Sequence, residues 1–190
     1  ATPTLPSGEE KKRDKARGGE GYDERLREHW NAIVKPTDTV VIAGDISWAM
    51  KLECTLADFT FLHGLPGKKL LMKGNHDYWW STKKKMDDWL EASGFDDMSI
   101  LFNNAFPYGG YAICGTRGWS YDCPENERTV LLREVGRLEM SVKAGLDLGL
   151  EPLVFLHYPP VYGDYVCTEI MDVLKKYGIK SCRYGHLHGA

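Results

Sequence analysis

Leu70-Leu71-Met72-Lys73-Gly74-Asn75-His76-Asp77 is the stretch on which the reading of this chain turns. A short apolar run stops at a glycine and hands over to an amide, an imidazole and a carboxylate. That is the pattern of a buried strand whose C-terminal loop carries chemistry. Working outward, the same arrangement recurs three times. The β-branched run Thr39 to Ala43 precedes Gly44-Asp45, Leu153 to Leu156 precedes His157, and Ser181 to Tyr184 precedes Gly185-His186-Leu187-His188. Four predicted strands therefore bring ligand-type residues to one edge.

Between these strands the periodicity changes from two to 3.6. Leu26, Trp30, Ile33 and Val34 recur at helical spacing until Pro36 ends the run. Further helices are predicted near Thr55 to His63, Lys83 to Ala92, Asn126 to Leu146 and Glu169 to Tyr177, and short strands between Ser99 and Trp119. Strands alternating with helices predict a layered α/β protein with its polar loops collected at the strand C-termini. Residues 1–21 differ: proline, glycine and a charge run from Glu9 to Arg17 offer almost nothing to bury, so they are expected to be disordered, with one domain over residues 22–190.

Composition narrows the function. The chain has 190 residues, 43% of them apolar, enough for one core. Acidic residues outnumber basic ones by 27 to 24, and no long basic stripe crosses the folded part, which argues against a dedicated nucleic-acid binder. A small anionic substrate is compatible with this balance if metals supply positive charge. Five cysteines, Cys54, Cys114, Cys123, Cys167 and Cys182, form no CxxC pair and read as packing residues of a reducing compartment. No stretch is apolar enough to span a bilayer and the N-terminus is charged where a secretory signal would be apolar, so the expected location is the cytoplasm.

Taken singly, the loop motifs have plain readings. Gly44-Asp45 can be a turn and helix cap, and His157, before Tyr158-Pro159-Pro160, an ordinary loop histidine. His186 and His188 are stronger, because alternate residues of an extended segment face one way and can hold an ion together. A chance Gly-Asn-His-Asp in a chain of this length has odds of roughly one in a thousand. Four such motifs in sequence, each behind a strand, are no longer explained one by one.

Gly44-Asp45, Gly74-Asn75-His76-Asp77, His157 and Gly185-His186-Leu187-His188 resemble the successive motifs of the calcineurin-like metallophosphoesterase superfamily, of the bacterial predicted-phosphohydrolase kind. The resemblance runs from about residue 22 to the last residue. It implies an α/β/β/α sandwich of two mixed sheets flanked by helices, and hydrolysis of a phosphomonoester or phosphodiester at two divalent ions, manganese, iron or zinc. Within it Asp45 bridges the ions, Asn75, His157 and His186 complete one of them, and His188 serves the other. His76 faces the phosphate as general acid or charge stabiliser, and Asp77 holds the His76 ring in orientation.

The family's opening strand, which ends in Asp-x-His, has no counterpart upstream of Asp45, and His29 reads as a helix-surface or core residue instead. One metal site is thus expected to be complete, and the other, left with Asp45 and His188, weak or empty. The family also continues past its last motif, so the reading is of a fold incomplete at both termini, from a truncated or altered gene product. A catalytically impaired fold kept for binding is the alternative function. A nuclease is the third reading, and a steep salt dependence of DNA binding would mark it.

Several neighbours of the motifs have two readings. Trp48, Tyr78, Trp79, Trp80, Trp119 and Tyr121 read as buried walls of the site before they read as a stacking platform. Arg117, in Gly115-Thr116-Arg117-Gly118, is either a phosphate ligand or a surface residue, and Lys83-Lys84-Lys85 a solvated helix face. The expected partner is a small phosphorylated substrate.

Overall fold

The structure, a computed structural model, describes residues 21–119 and 128–187. In chain order its elements are α1 (Tyr22–Ile33), β1 (Thr39–Ile42), a 3-10 turn (Leu52–Thr55), α2 (Leu56–His63), β2 (Lys68–Leu71), α3 (Lys83–Ala92) and β3 (Met98–Ile100). There follow β4 (Phe106–Tyr108), β5 (Tyr111–Thr116), α4 (Arg128–Asp147), β6 (Glu151–Leu156), β7 (Val161–Tyr162), β8 (Tyr165–Val166), α5 (Thr168–Lys176) and β9 (Cys182–Tyr184).

The strands form two sheets and a hairpin. The first sheet, β1-β2-β3, is parallel throughout. The second, β4-β5-β6-β9, is mixed: β4 runs antiparallel to β5 and the other pairs are parallel. Pro107 sits in β4, an edge strand, where a missing N–H breaks no ladder. The two-stranded hairpin β7-β8 turns at Gly163-Asp164 after the His157 loop.

Side-chain alternation along the strands makes four layers. Leu71, Met98 and Ile100 pack outward on Phe59 and Leu62 of α2 and Met86 and Leu90 of α3. Their neighbours Leu70 and Met72 turn the other way and meet Ile113, Phe106 and Phe155 of the second sheet. On the far side of that sheet Ala112, Cys114, Val154 and Leu156 pack on Leu138 and Val142 of α4 and Ile170, Val173 and Leu174 of α5. The order is helix, sheet, sheet, helix, and each large buried side chain contributes about 1.5–3 kcal/mol relative to exposure.

α1 lies outside this sandwich: it buries no residue, and the Trp30 indole ties it down by donating to the Pro66 carbonyl at 2.9 Å. His29 is exposed on it. The cysteine expectation holds for Cys114 and Cys167, which are buried, and fails for Cys54, which is exposed. Burial pushes the Cys114 thiol up to about 11. Of residues 1–21, on which the expectation of disorder falls, 1–20 lie outside the described residues, as does Cys123, while Gly21 caps α1. Among the described residues no helix is long and apolar enough to cross a membrane.

One buried charge was not foreseen. Lys69 of β2 is fully buried, and its ammonium donates to the Leu65 carbonyl and to Asp97, whose other oxygen lies 2.7 Å from His63 Nδ1. This group marks the end of the sheet where β2 begins, opposite the motif loops.

Candidate metal centre

The four motif loops divide evenly between the sheets. Those carrying Asp45 and Asn75 leave β1 and β2, and those carrying His157 and His186 leave β6 and β9. The site therefore lies at the seam where the strand C-termini of the two sheets face each other. Two glycines let the loops of the first sheet meet. A Cβ on Gly74 would lie 2.1 Å from Asp45 Oδ1 and 2.3 Å from the Asp45 nitrogen. At Gly44, φ is +99° and a Cβ would lie 2.5 Å from the Gly74 Cα. Both positions exclude a side chain, which is the physical reason for the glycine in each motif.

Asp45 and His186 themselves hold left-handed backbone, with φ of 57° and 67°. Asp and His tolerate this region better than most residues, and a strained conformation at both ends of a ligand pair is a feature of functional sites.

The ligand-type atoms converge. One atom each from Asp45, His157 and His186 all lie within 4.8 Å of one another. His157 Nδ1 is 2.7 Å from the Ala43 carbonyl oxygen, which can only accept, so Nδ1 carries the proton. Nε2 is then a lone pair, and it faces Asn75 Oδ1 at 2.7 Å and Asp45 Oδ2 at 3.7 Å. Three acceptors with no proton among them repel unless a cation lies between them. Protonating His157 would relieve this, but burial lowers its proton affinity, and the charges of His186 and Arg117 add to that against the opposing pull of Asp45 and the Ala43 carbonyl. Neutral imidazole, amide oxygen and carboxylate form a donor set suited to a divalent metal, and the residues fit one.

Asp77 makes its hydrogen bonds to the two loops rather than to the His76 ring. Its Oδ2 accepts from the backbone N–H of Asp45 at 2.8 Å and of Gly74 at 2.7 Å. Its Oδ1 accepts from Ile46, from Ser47 and from the Trp79 indole. Buried to 1% exposure, the carboxylate stitches the Asp45 loop to the Asn75 loop, and neither oxygen is hydrogen-bonded to the His76 ring. Burial raises its proton affinity, and the four backbone donors oppose that shift.

The His76 ring is held by different neighbours. Trp48 stacks on it at 4.1 Å between centroids and 10° between planes, and the Tyr78 hydroxyl lies 3.2 Å from Nδ1. His76 also donates its backbone N–H to Asp45 Oδ1 at 2.9 Å. The expectation of buried aromatic walls thus holds for Trp79 and Trp119 and fails for Trp48 and Tyr78, which are half exposed beside His76. Sequence reasoning missed both as partners of the histidine, although their closeness to the two motifs was a usable signal.

Arg117 is mostly buried next to Glu134 rather than on the surface. Lys83 and Lys84 pair with Asp87 and Asp88 along the outer face of α3. His63, Asp96 and Asp97 also bring ligand-type atoms together, but at the opposite end of the sheet, where the Lys69 ammonium already balances Asp97 and His63 is hydrogen-bonded to it. His188 and Tyr121 lie outside the described residues.

The sequence model of the calcineurin-like phosphoesterases matches residues 18–190. A protein of known crystal structure shares the fold with a TM-score of 0.53 over 88% of this chain and 79% of its own, at 12% identity. No curated protein matches.

Proposed function

The chain belongs to the calcineurin-like phosphoesterase family, in general metal-dependent phosphoester hydrolases, and on that premise we propose that it hydrolyses a small phosphomonoester or phosphodiester at the Asp45–Asn75–His157–His186 centre. The observation that carries this reading is the convergence of the His157 lone pair with Asn75 Oδ1 and Asp45 Oδ2, three acceptors that a divalent cation would reconcile.

Bound divalent ions, of which manganese, iron and zinc suit these donors, would activate water and draw off charge from the phosphoryl group. A second ion, for which the sequence offers only Asp45 and His188, would be held weakly or not at all. Within the chain, the Ala43 carbonyl fixes the His157 tautomer, and Gly44 and Gly74 let Asp45 approach Asn75. A Tyr78 hydroxyl donating to Nδ1 of His76 leaves the ring N–H on Nε2, which can donate a hydrogen bond to the phosphoester and stabilise the charge that develops on its oxygens. Trp48 keeps the ring plane fixed while this happens. Asp77 acts by holding the two loops, not by touching the substrate. A net charge of −3 favours a small substrate over nucleic acid.

The test is hydrolysis of p-nitrophenyl phosphate and its bis-ester with and without manganese, beside a His76→Ala variant. Metal-dependent release that falls roughly a hundredfold or more in the variant supports the proposal. No release with any divalent ion, in folded protein, would favour an impaired fold used for binding.

A further inference from the structure

A second group of charges lies beside the metal centre, and the function above does not use it. Glu134 of α4 is 1% exposed. Its carboxylate accepts from the Thr116 hydroxyl at 2.7 Å and from Arg137, and Arg117 Nη2 stands 3.6 Å away. Lys73, the residue between buried Met72 and Gly74, interacts electrostatically with Arg117, Glu134 and Arg137, and also with Asp77. Three cations thus share two carboxylates, of which Asp77 is already taken up by the hydrogen bonds of the two loops.

Stability does not need this surplus. One arginine neutralises a buried glutamate, and each further buried cation adds desolvation cost without a counter-charge. Lys73 is half buried and makes no hydrogen bond or ion pair with any described residue. Arg117 Nε is buried with no acceptor among the described residues. So is the Trp80 indole N–H, on a ring packed edge-on to the Phe102 over which Arg137 sits at 5.0 Å. Unused donors and unbalanced positive charge together call for a polyanion.

The cluster adjoins the reacting centre through both sheets. Lys73 is two positions before Asn75, and the Arg117 carbonyl accepts from the backbone N–H of His157 at 3.2 Å and of Tyr158 at 2.9 Å. We propose that Lys73, Arg117 and Arg137, arranged on Glu134, form an anion subsite that takes a second phosphate of the substrate, so that the preferred substrates are phosphoesters carrying two phosphate groups. The substrate class rests on the phosphoesterase reading; the anion site does not.

Pyrophosphate titrated into the metal-free full chain, followed by calorimetry, tests the site directly. The expected result is salt-sensitive binding, weakened roughly tenfold or more by Lys73→Gln and by Arg137→Gln and retained by Asp45→Asn. Circular dichroism checks folding, and Lys73→Gln keeps the test decisive if Arg137→Gln destabilises α4. Absence of binding in the wild-type chain, or equal binding by Lys73→Gln, would overturn the proposal. Kinetics separate the two ideas. If p-nitrophenyl phosphate is hydrolysed but a bisphosphate shows no lower KM, the subsite falls and the phosphoesterase stands. If Lys73-dependent pyrophosphate binding persists without any hydrolysis, the subsite stands and the enzyme falls.

Discussion

His157, carried by the second sheet, donates from Nδ1 to the carbonyl oxygen of Ala43 at the end of the first sheet, 2.7 Å away. This one bond crosses the seam of the sandwich and aims the Nε2 lone pair at Asp45 and Asn75. A ring held this way has its ligand tautomer selected before any ion arrives. Manganese or zinc at a hundred times its dissociation constant should therefore stabilise the fold by about 2.7 kcal/mol, read as a rise in Tm. His157→Ala should abolish the rise, and an undiminished rise would place the ion elsewhere.

Gly74→Ala tests the contact between the loops. The added methyl would lie 2.1 Å from Asp45 Oδ1, so the Asp45 carboxylate must move. A loss of about 1–3 kcal/mol in urea unfolding is expected, together with a smaller metal-induced shift in Tm. A variant as stable as the parent, with an unchanged shift, would show that the two loops are not packed as described.

Asp77→Asn should act on stability. The amide turns an N–H₂ toward backbone donors that now share a carboxylate, and leaves some of them buried without an acceptor. The expected cost is about 2–4 kcal/mol, seen as a fall in the denaturation midpoint. Were the variant fully stable but inactive, Asp77 would belong to the chemistry after all.

Tyr78→Phe removes the only side-chain hydrogen bond to the His76 ring among the described residues. Turnover should fall about two- to tenfold with KM nearly unchanged, because the ring loses the partner that holds its Nδ1. Trp48→Ala, which frees the ring plane, should cost more in kcat while leaving Tm nearly unchanged, because Trp48 is half exposed. Unaltered turnover in Tyr78→Phe would contradict this assignment.

The candidate ligands that the structure brings together, Asp45, Asn75, His157 and His186, were legible in the sequence because amide, imidazole and carboxylate directly after a strand have little structural reason to be there. Their division between two sheets was not. β1, β2, β6 and β9 are all short apolar runs, and a strand buried on both faces carries no period that says which sheet it joins. The direction of the Asp77 carboxylate was equally hidden: sequence places it next to His76, whereas the positive φ at Gly44 and Asp45 bends a loop 30 residues upstream under its oxygens. Buried Lys69 could not be read either, since its partner Asp97 lies on another element, whereas Glu134 has Arg137 three residues on in its own helix but is also held by Thr116 and Arg117 from outside it. The β7-β8 hairpin was readable but overlooked, because Gly163-Asp164 between Val161-Tyr162 and Tyr165-Val166 is an ordinary two-residue turn signal.

An anomalous-scattering map from crystals grown with manganese tests the central claim most directly. The account predicts a strong peak bounded by Asp45, Asn75, His157 and His186, each donor at about 2.0–2.2 Å. A map with no peak there, or with its main peak at His63, Asp96 and Asp97, would contradict it.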